Sequence, residues 1–180
     1  MTAVSCHHVV MTVTVDELVW IDDFESTFRA EYGRLVRALT VVAGNADTAA
    51  DAVQEAFVKA HVRWRRVSRY DDPVGWIRRV AINNLRDEHR RGGRKRKALD
   101  RLAQERHEVP SEPVIDEISG LLAGLPRQQR LCVALYYVEG LTVAETATAL
   151  DLSEGAVKFH LHQGRKRIRG ELEEEREEQR

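Results

Sequence analysis

The chain has 180 residues, which is enough for one ordinary domain or two small ones. Its 28 basic and 29 acidic side chains give a net charge of −1, and its 4 prolines and 11 glycines are few enough to favour a mostly helical protein. No run of 18 apolar residues and no secretory signal pattern occurs, and Cys6 and Cys132 lie far apart, so neither membrane insertion nor a disulfide framework is expected and a cytoplasmic location fits.

The first predicted helix follows an N-terminal extension, residues 1–21, which shows no hydrophobic period and is expected to be mobile. From residue 22 onward apolar side chains recur at helical spacing, and Gly44-Asn45 ends the helix. A second helix is predicted over about residues 46–66. Its inward stripe consists of Val53, Phe57, Ala60 and Trp64.

A third helix is predicted after Asp72-Pro73, because Asp is a favourable N-cap and Pro suits the first helical position. Gly92-Gly93 is expected to end it, so that the three helices form one compact domain over residues 22–92. Residues 93–115 then lose the apolar period. They include the basic run Arg94-Lys95-Arg96-Lys97 and two prolines, which is the composition of a flexible basic linker.

A second helical domain is predicted over residues 116–172, followed by an acidic tail, residues 173–180. Breaks at Leu125-Pro126 and at Gly140 divide its first part into helices. The fold class expected for the whole chain is therefore all-α: two small helical domains joined by a flexible basic linker.

The second domain contains a predicted helix-turn-helix from Thr142 to Arg169. Thr142 and Glu145 have the spacing of a capping box, and Ser153 is placed to cap the second helix of the pair. In that helix Val157, Leu161 and Ile168 fall on one face, whereas Lys158, His162 and Arg165 fall on another. A helix with one apolar and one basic stripe can pack on its partner and still lie in a DNA major groove.

Three further surfaces carry candidate binding residues. The outer face of the second helix carries Asp47, Asp51, Gln54, Glu55 and Val58. A line along the third helix carries Arg79, Asn83, Arg86 and Arg90, and the loop between the two helices carries Ser68, Arg69 and Tyr70. Arg and Asn on one rigid face can meet phosphates and base edges together, and an aromatic ring among basic residues can stack on an unpaired base. The alternatives are a solvated acidic face on the second helix and a Tyr70 that packs back onto the bundle. Trp76 is expected in the core, whereas the sequence does not decide between a core role and a binding role for Trp64.

These motifs resemble a known family. The order Asp51-Ala-Val-Gln54-Glu55-Ala-Phe57, then Asp72-Pro73-Val-Gly-Trp76-Ile-Arg78-Arg79-Val-Ala-Ile-Asn83-Asn84, then Arg90-Arg91, is similar to the promoter-melting domain of bacterial sigma factors. Leu125-Pro126 and the helix-turn-helix resemble their second DNA-reading domain. With two domains and little else, the chain resembles the extracytoplasmic-function subfamily of the sigma-70 family over about residues 22–172.

The resemblance implies a sigma factor that binds core RNA polymerase and initiates transcription of a specific regulon. The implied contacts with the clamp of the largest polymerase subunit are Asp47, Asp51, Gln54 and Glu55. The implied contacts with the minus-ten element are Ser68, Arg69, Tyr70, Arg79, Asn83, Arg86, Arg90 and Arg91. The implied contacts with the minus-thirty-five element are Ser153, Gly155, Lys158, His162, Arg165 and Lys166. Further implications are contact with the flap of the second-largest subunit, binding of promoter DNA as duplex and as melted single strand, an anti-sigma protein as partner, and a cytoplasmic, nucleoid-associated location.

Two other classes of protein, a duplex-binding regulator and an enzyme, are alternatives to a sigma factor. A repressor or activator that binds duplex DNA without polymerase accounts for the helix-turn-helix but leaves the faces of the second and third helices unexplained. An enzyme is not expected, since no phosphate-binding glycine loop and no nucleophile pattern occur. No metal or cofactor is expected either, because His160 and His162 lie about 200° apart around a helix and Cys6-His7-His8 lacks a fourth ligand.

Overall fold

The computed structural model describes the backbone of residues 15–99, 113–178 and 180, and the side chains of residues 23–90, 113–174, 176, 177 and 180. Within these ranges the chain is helical and contains no strand, which confirms the predicted all-α class. The helices are α1 (Val15–Ala43), α2 (Ala46–Val62), the short α3 (Trp64–Val67), α4 (Pro73–Leu99), α5 (Pro113–Ala123), α6 (Arg127–Val133), α7 (Val143–Leu150) and α8 (Glu154–Glu178). A single π-helical turn, Ala134–Val138, extends α6.

The first domain is a bundle in which α1, α2 and α4 pack around one apolar centre. Gly44 adopts a positive φ of 67° and turns the chain, and the Asn45 side chain then accepts a hydrogen bond from the backbone of Thr48 as the N-cap of α2. The largest fully buried side chains of this domain are Leu35, Leu39, Val41, Val53, Val67, Ile77 and Ile82. Three helices, each with one apolar face, therefore share a core as the spacing predicts.

Helix bounds in this domain differ from the predicted ones at three places. Helix α1 begins at Val15 rather than near residue 22. The second predicted helix breaks at Arg63, and this bend lets both Trp64 and Val67 turn into the core. Helix α4 continues through the two glycines to Leu99, because each glycine costs only about 1 kcal/mol and the following Arg, Lys, Ala and Leu are good helix formers.

The second domain is built from α5 to α8 and is held by close contacts at its turns. The predicted break at Leu125-Pro126 occurs, and the Arg130 guanidinium donates to the carbonyls of Ala123 and Leu125, at 2.7 and 3.1 Å, which caps the end of α5. At Gly164, a Cβ atom would lie 2.8 Å from a Val133 methyl group, so α6 and α8 approach where no side chain intervenes. Cys132 is fully buried, as predicted, and burial raises the pKa of its thiol to about 11.

The two domains pack on each other, with α1 against α5, α6 and the π-helical turn, and α4 against α7. At the centre of this interface Glu139, which is 2% exposed, accepts a hydrogen bond of 2.5 Å from Nε of Arg78, which is 7% exposed. The Arg34 guanidinium donates to the carbonyl of Glu139 at 2.9 Å, and Arg130 donates to the carbonyl of Val42 at 3.3 Å. The sequence predicts the linker but not this contact. Residues 100–112 of the predicted linker lie outside the described residues, as do residues 1–14.

Candidate nucleic-acid interface

Local hydrogen bonds fix the geometry of the helix-turn-helix. The Thr142 hydroxyl accepts from the backbone of Glu145, and the Glu145 carboxylate accepts from the backbone and hydroxyl of Thr142, so the predicted capping box is complete. These hydrogen bonds hold the pKa of the Glu145 carboxyl below its usual value. Asp151 turns the chain with a positive φ of 58°, and the Ser153 hydroxyl accepts from the backbone of Ala156 at the start of α8. The sequence therefore specifies the angle at which α8 leaves α7.

One face of α8 packs on the domain and the opposite face meets solvent. Val157 and Leu161 are buried and Ile168 is half-buried, as the spacing predicts. The six side chains or backbone positions proposed for the minus-thirty-five element are all exposed: Ser153, Gly155, Lys158, His162, Arg165 and Lys166. The Lys158 ammonium lies 3.6 Å from the Glu154 carboxylate, but this pair is exposed and holds the lysine only weakly. Sequence reasoning missed Phe159, which is 57% exposed on the same face.

The line of polar residues along α4 borders the second domain, and Arg79, Asn83 and Arg90 are exposed. Arg79 is exposed, yet its guanidinium donates to the carbonyl of Thr148 in α7 at 2.9 Å. Asn83 is exposed and accepts a hydrogen bond of 3.4 Å from Arg86. Arg90 forms an ion pair with Asp87. The side chain of Arg91 lies outside the described residues.

A cavity of about 540 Å³ lies between the domains at this line. Its walls are Asn83, Arg86, Asp87 and Arg90 from α4 and Arg127 from the start of α6. Burial lowers the pKa of the Arg127 guanidinium, and the positive charges of Arg86, Arg130 and Arg90 lower it further. The cavity is therefore a concentration of positive charge in which both domains take part.

The loop between α3 and α4 packs closely on the bundle. The Tyr70 ring is half-buried and lies against Trp76, with 6.5 Å between ring centroids, so of the two alternatives its packing onto the bundle is the one observed. Ser68 is half-buried and its hydroxyl oxygen has no hydrogen-bond partner, whereas Arg69 is exposed. Trp64 is buried, because the bend at Arg63 turns it inward. Trp76 is only half-buried. The expectation that Trp76 belongs to the core is thus only partly met.

The outer face of α2 is exposed along its whole length. All four predicted polymerase contacts are exposed: Asp47, Asp51, Gln54 and Glu55. Val58 and Val62 continue this face and are 55% and 76% exposed, and Val62 was not among the residues that the sequence singled out. Exposed apolar residues beside polar ones are typical of a protein-binding surface.

The described parts of the chain contain neither a metal-binding cluster nor a membrane-spanning helix. No group of three or more His, Cys, Asp or Glu side chains is arranged to hold a metal ion there. Among the helices described, none combines the length and apolar content that crossing a bilayer requires. Cys6-His7-His8 lies outside the described residues.

Two family models match the two helical domains in order. The model described as "Sigma-70 region 2" matches residues 27–97, and the one described as "Sigma-70, region 4" matches residues 115–168. The chain belongs to the sigma-70 family. The sigma-70 region 2 match covers α2 and α4 with their candidate faces, and the region 4 match covers the helix-turn-helix.

Relatives of this sigma factor carry extracytoplasmic-function names. It is 32% identical over 124 residues to "ECF RNA polymerase sigma factor SigF" of Caulobacter vibrioides. The match covers 66% of this chain and 67% of the relative. This sigma factor is 28% identical over 162 residues to "ECF RNA polymerase sigma factor SigE" of Mycolicibacterium smegmatis, which covers 83% of this chain and 61% of that relative.

Two solved structures share the fold of this sigma factor. One is the sigma factor RpoE in complex with the anti-sigma factor NepR from Bartonella quintana, with a TM-score of 0.70, 19% identity and coverage of 84% of this chain and 98% of that one. The other is CnrH in complex with the cytosolic domain of CnrY, with a TM-score of 0.62, 21% identity and coverage of 85% and 89%.

Proposed function

We propose that this sigma factor directs core RNA polymerase to a specific set of promoters by reading two promoter elements, one with each domain. The observation that carries the proposal is the pair of polar, arginine-bearing helix faces, one on α4 and one on α8, in the two domains that match regions 2 and 4. A chain that bound DNA only as a duplex would have no use for the α4 face. Catalysis belongs to the polymerase, and this chain is not itself an enzyme.

The minus-thirty-five element is read by α8 in the major groove. Lys158, Arg165 and Lys166 supply positive charge for phosphates and guanine edges, and His162 supplies a ring nitrogen for a base edge. Gly155 leaves the backbone of the first turn open to close approach, and Ser153 keeps the helix start in place through its cap. Each good bidentate base contact gives about 1–3 kcal/mol of discrimination.

The minus-ten element is captured by α4 and the loop that precedes it. Asn83 is proposed to hold a base that has left the stack, and Arg79, Arg86, Arg90 and Arg91 to steady the melted strand and its upstream phosphates. Unstacking a base costs a few kcal/mol, which contacts with the extruded base and with its phosphates can offset. Because Tyr70 packs against Trp76, the loop would contribute mainly through Ser68 and Arg69 unless Tyr70 leaves this position.

Core polymerase is proposed to bind the α2 face. Asp47, Asp51, Gln54 and Glu55 supply polar contacts for the clamp of the largest subunit, and the two exposed valines supply apolar area. The second domain would meet the flap of the second-largest subunit. An anti-sigma protein is proposed as a further partner, supported by the neighbouring structure of RpoE in complex with the anti-sigma factor NepR. A cytoplasmic location, with nucleoid association in the active state, follows from these partners.

The test is run-off transcription with purified core RNA polymerase, with and without this chain, on a library of promoter fragments. We expect specific transcripts that require the chain, and their start sites give the promoter sequence. Protection of DNA without polymerase, together with no transcript, would instead indicate a helix-turn-helix repressor or activator.

A further inference from the structure

One apolar side chain interrupts the polar face of α8. Phe159 is 57% exposed, although Val157 and Leu161, two residues to either side, are buried. At about 100° per residue, Phe159 lies roughly 160° around the helix from each of them, so its ring points away from the core. The ring has no place in the packing of its own domain, and its only ring contact within the described residues is with His160, at 5.7 Å between centroids.

The neighbours of Phe159 are the residues proposed to enter the major groove. Gly155 lies four residues before it, His162 three residues after it and Lys166 seven after it, so these positions form one line along the helix. Gly155 has no side chain to shield the ring, and Lys158 and Arg165 flank the line on one side. Phe159 therefore lies within the line of residues that would meet base edges, with the basic side chains on one side of it.

The major groove offers an apolar group at one kind of base only. Guanine, cytosine and adenine edges present donors and acceptors there, whereas thymine also presents its C5-methyl group. An aromatic ring on the face of a helix that enters the groove would leave the donors and acceptors of the base edges unpaired. It can, however, bury a methyl group. We infer that Phe159 contacts the C5-methyl group of a thymine in the upstream promoter element and selects for thymine at that position.

This inference rests on the proposed function, in which α8 enters the groove. An exposed aromatic ring can also mark a protein-binding surface, but the centres of such surfaces are depleted in lysine. Lys158 and Lys166 lie beside Phe159 on this face, and none of the other large exposed apolar residues lies in the first half of α8. The charge around the ring thus favours DNA as the partner.

The experiment replaces thymine by deoxyuridine, which lacks only the C5-methyl group. Holoenzyme assembled from core RNA polymerase and the full chain first selects its preferred duplexes from a library randomised over the upstream element. Each thymine of the selected element is then replaced singly by deoxyuridine, and the affinity is measured by fluorescence anisotropy. At one position we expect a loss of about fourfold, the size expected for one methyl group returned to water.

The same duplexes are then measured with two variants. Phe159→Ala should bind thymine and deoxyuridine equally at that position, with an unchanged melting temperature because the ring is exposed. Leu172→Ala is the matched control, since Leu172 is an exposed apolar residue of the same helix about 20 Å farther along its axis. It should keep the fourfold preference.

Three results would overturn the inference. Equal affinity of wild-type holoenzyme for every thymine and deoxyuridine pair would remove the methyl contact while leaving the proposed function intact. A preference for thymine over deoxyuridine that survives in Phe159→Ala would also remove the methyl contact by Phe159. A Phe159→Ala variant that loses affinity for core polymerase but keeps its promoter preference would assign the ring to a protein contact. If the wild-type holoenzyme selects no promoter sequence at all, the proposed function fails together with the inference.

Discussion

The two faces proposed to read DNA differ in how freely they can be reached. The α8 face lies in solvent, where Lys158 forms a weak, exposed pair with Glu154. The α4 face borders the second domain, where Arg79 donates to the carbonyl of Thr148 and the cavity walls include Arg127. In this arrangement the basic side chains of the α8 face are accessible to DNA. Arginine side chains of the α4 face instead contact the second domain or line the cavity beside it. Variants that separate the domains should therefore change the radius of gyration, whereas variants that alter one face should change only the DNA contacts of that face.

The largest effect is expected from Glu139→Ala. This substitution leaves Arg78 buried without its anion, and breaking a buried ion pair costs about 3–5 kcal/mol. Arg78 regains water if the domains part, so we expect separation of the domains rather than unfolding of either one. Small-angle scattering should show a larger radius of gyration, with helical content unchanged. Glu25→Ala, which removes an exposed pair with Arg29, is the control and should leave the radius as it was. A compact Glu139→Ala variant with wild-type stability would mean that the ion pair does not hold the domains together.

The next effect concerns the α4 face alone. Asn83→Ala should lower open-complex formation about tenfold, because it removes one base contact of roughly 1–3 kcal/mol, and should leave the affinity for core polymerase unchanged. Asn83 is exposed, so the fold should not change. Permanganate reactivity of melted thymines and a polymerase-binding titration measure the two quantities. An equal loss of both would count against a base contact by Asn83.

A smaller effect is expected on the α8 face. Lys158→Ala or Arg165→Ala should weaken binding to the upstream element and reduce the slope of log affinity against log salt by about one if the residue contacts a phosphate. Both side chains are exposed, so the radius of gyration should stay constant. Unchanged protection of the upstream element in both variants would remove these residues from the interface.

The smallest effect is on the start of α7. Thr142→Ala removes the two hydrogen bonds of the Thr142 hydroxyl, while the backbone N–H of residue 142 can still donate to Glu145, and should cost about 1 kcal/mol of unfolding free energy near neutral pH. Because the hydrogen bonds from Thr142 lower the pKa of Glu145 in the folded state, their contribution is present above the ordinary glutamate pKa and is lost as the pH falls through the lowered value. The difference in unfolding free energy between the wild type and the variant, measured in urea, should therefore narrow in acid, while the part that comes from the N-cap bond to the backbone of Glu145 remains. A difference in stability that does not vary with pH would contradict this linkage.

Local features of the sequence predicted local structure well. The capping box at Thr142, the end of the first helix at Gly44-Asn45 and the break at Leu125-Pro126 each depend on residues within a few positions of one another, and each occurs as expected. The bend at Arg63 was not predicted, because no glycine or proline marks it and its cause is the burial of Trp64 in the core. Tertiary packing overrode a continuous helical pattern there.

The contact between the domains could not be read from the sequence for a related reason. Arg78 and Glu139 are 61 residues apart, and each belongs to a segment that reads as an ordinary charged helix or turn. Phe159 was missed because a single apolar residue on a polar face fits no helical period, and only its exposure shows that it is not part of the core. Both cases concern residues whose role is set by partners distant in sequence or outside the chain.

Helix α8 also carries a gradient of charge along its axis. Its first half is basic, whereas its last turns carry the exposed Glu173, Glu174 and Glu177, and the helix runs without interruption from one to the other for 25 residues, about 37 Å. Phosphates on both sides of a groove attract the first half and repel the second. In the proposed complex the helix would therefore enter the groove by its N-terminal end, with its C-terminal end tilted outward, and this charge gradient would orient the protein along the promoter before any base is read.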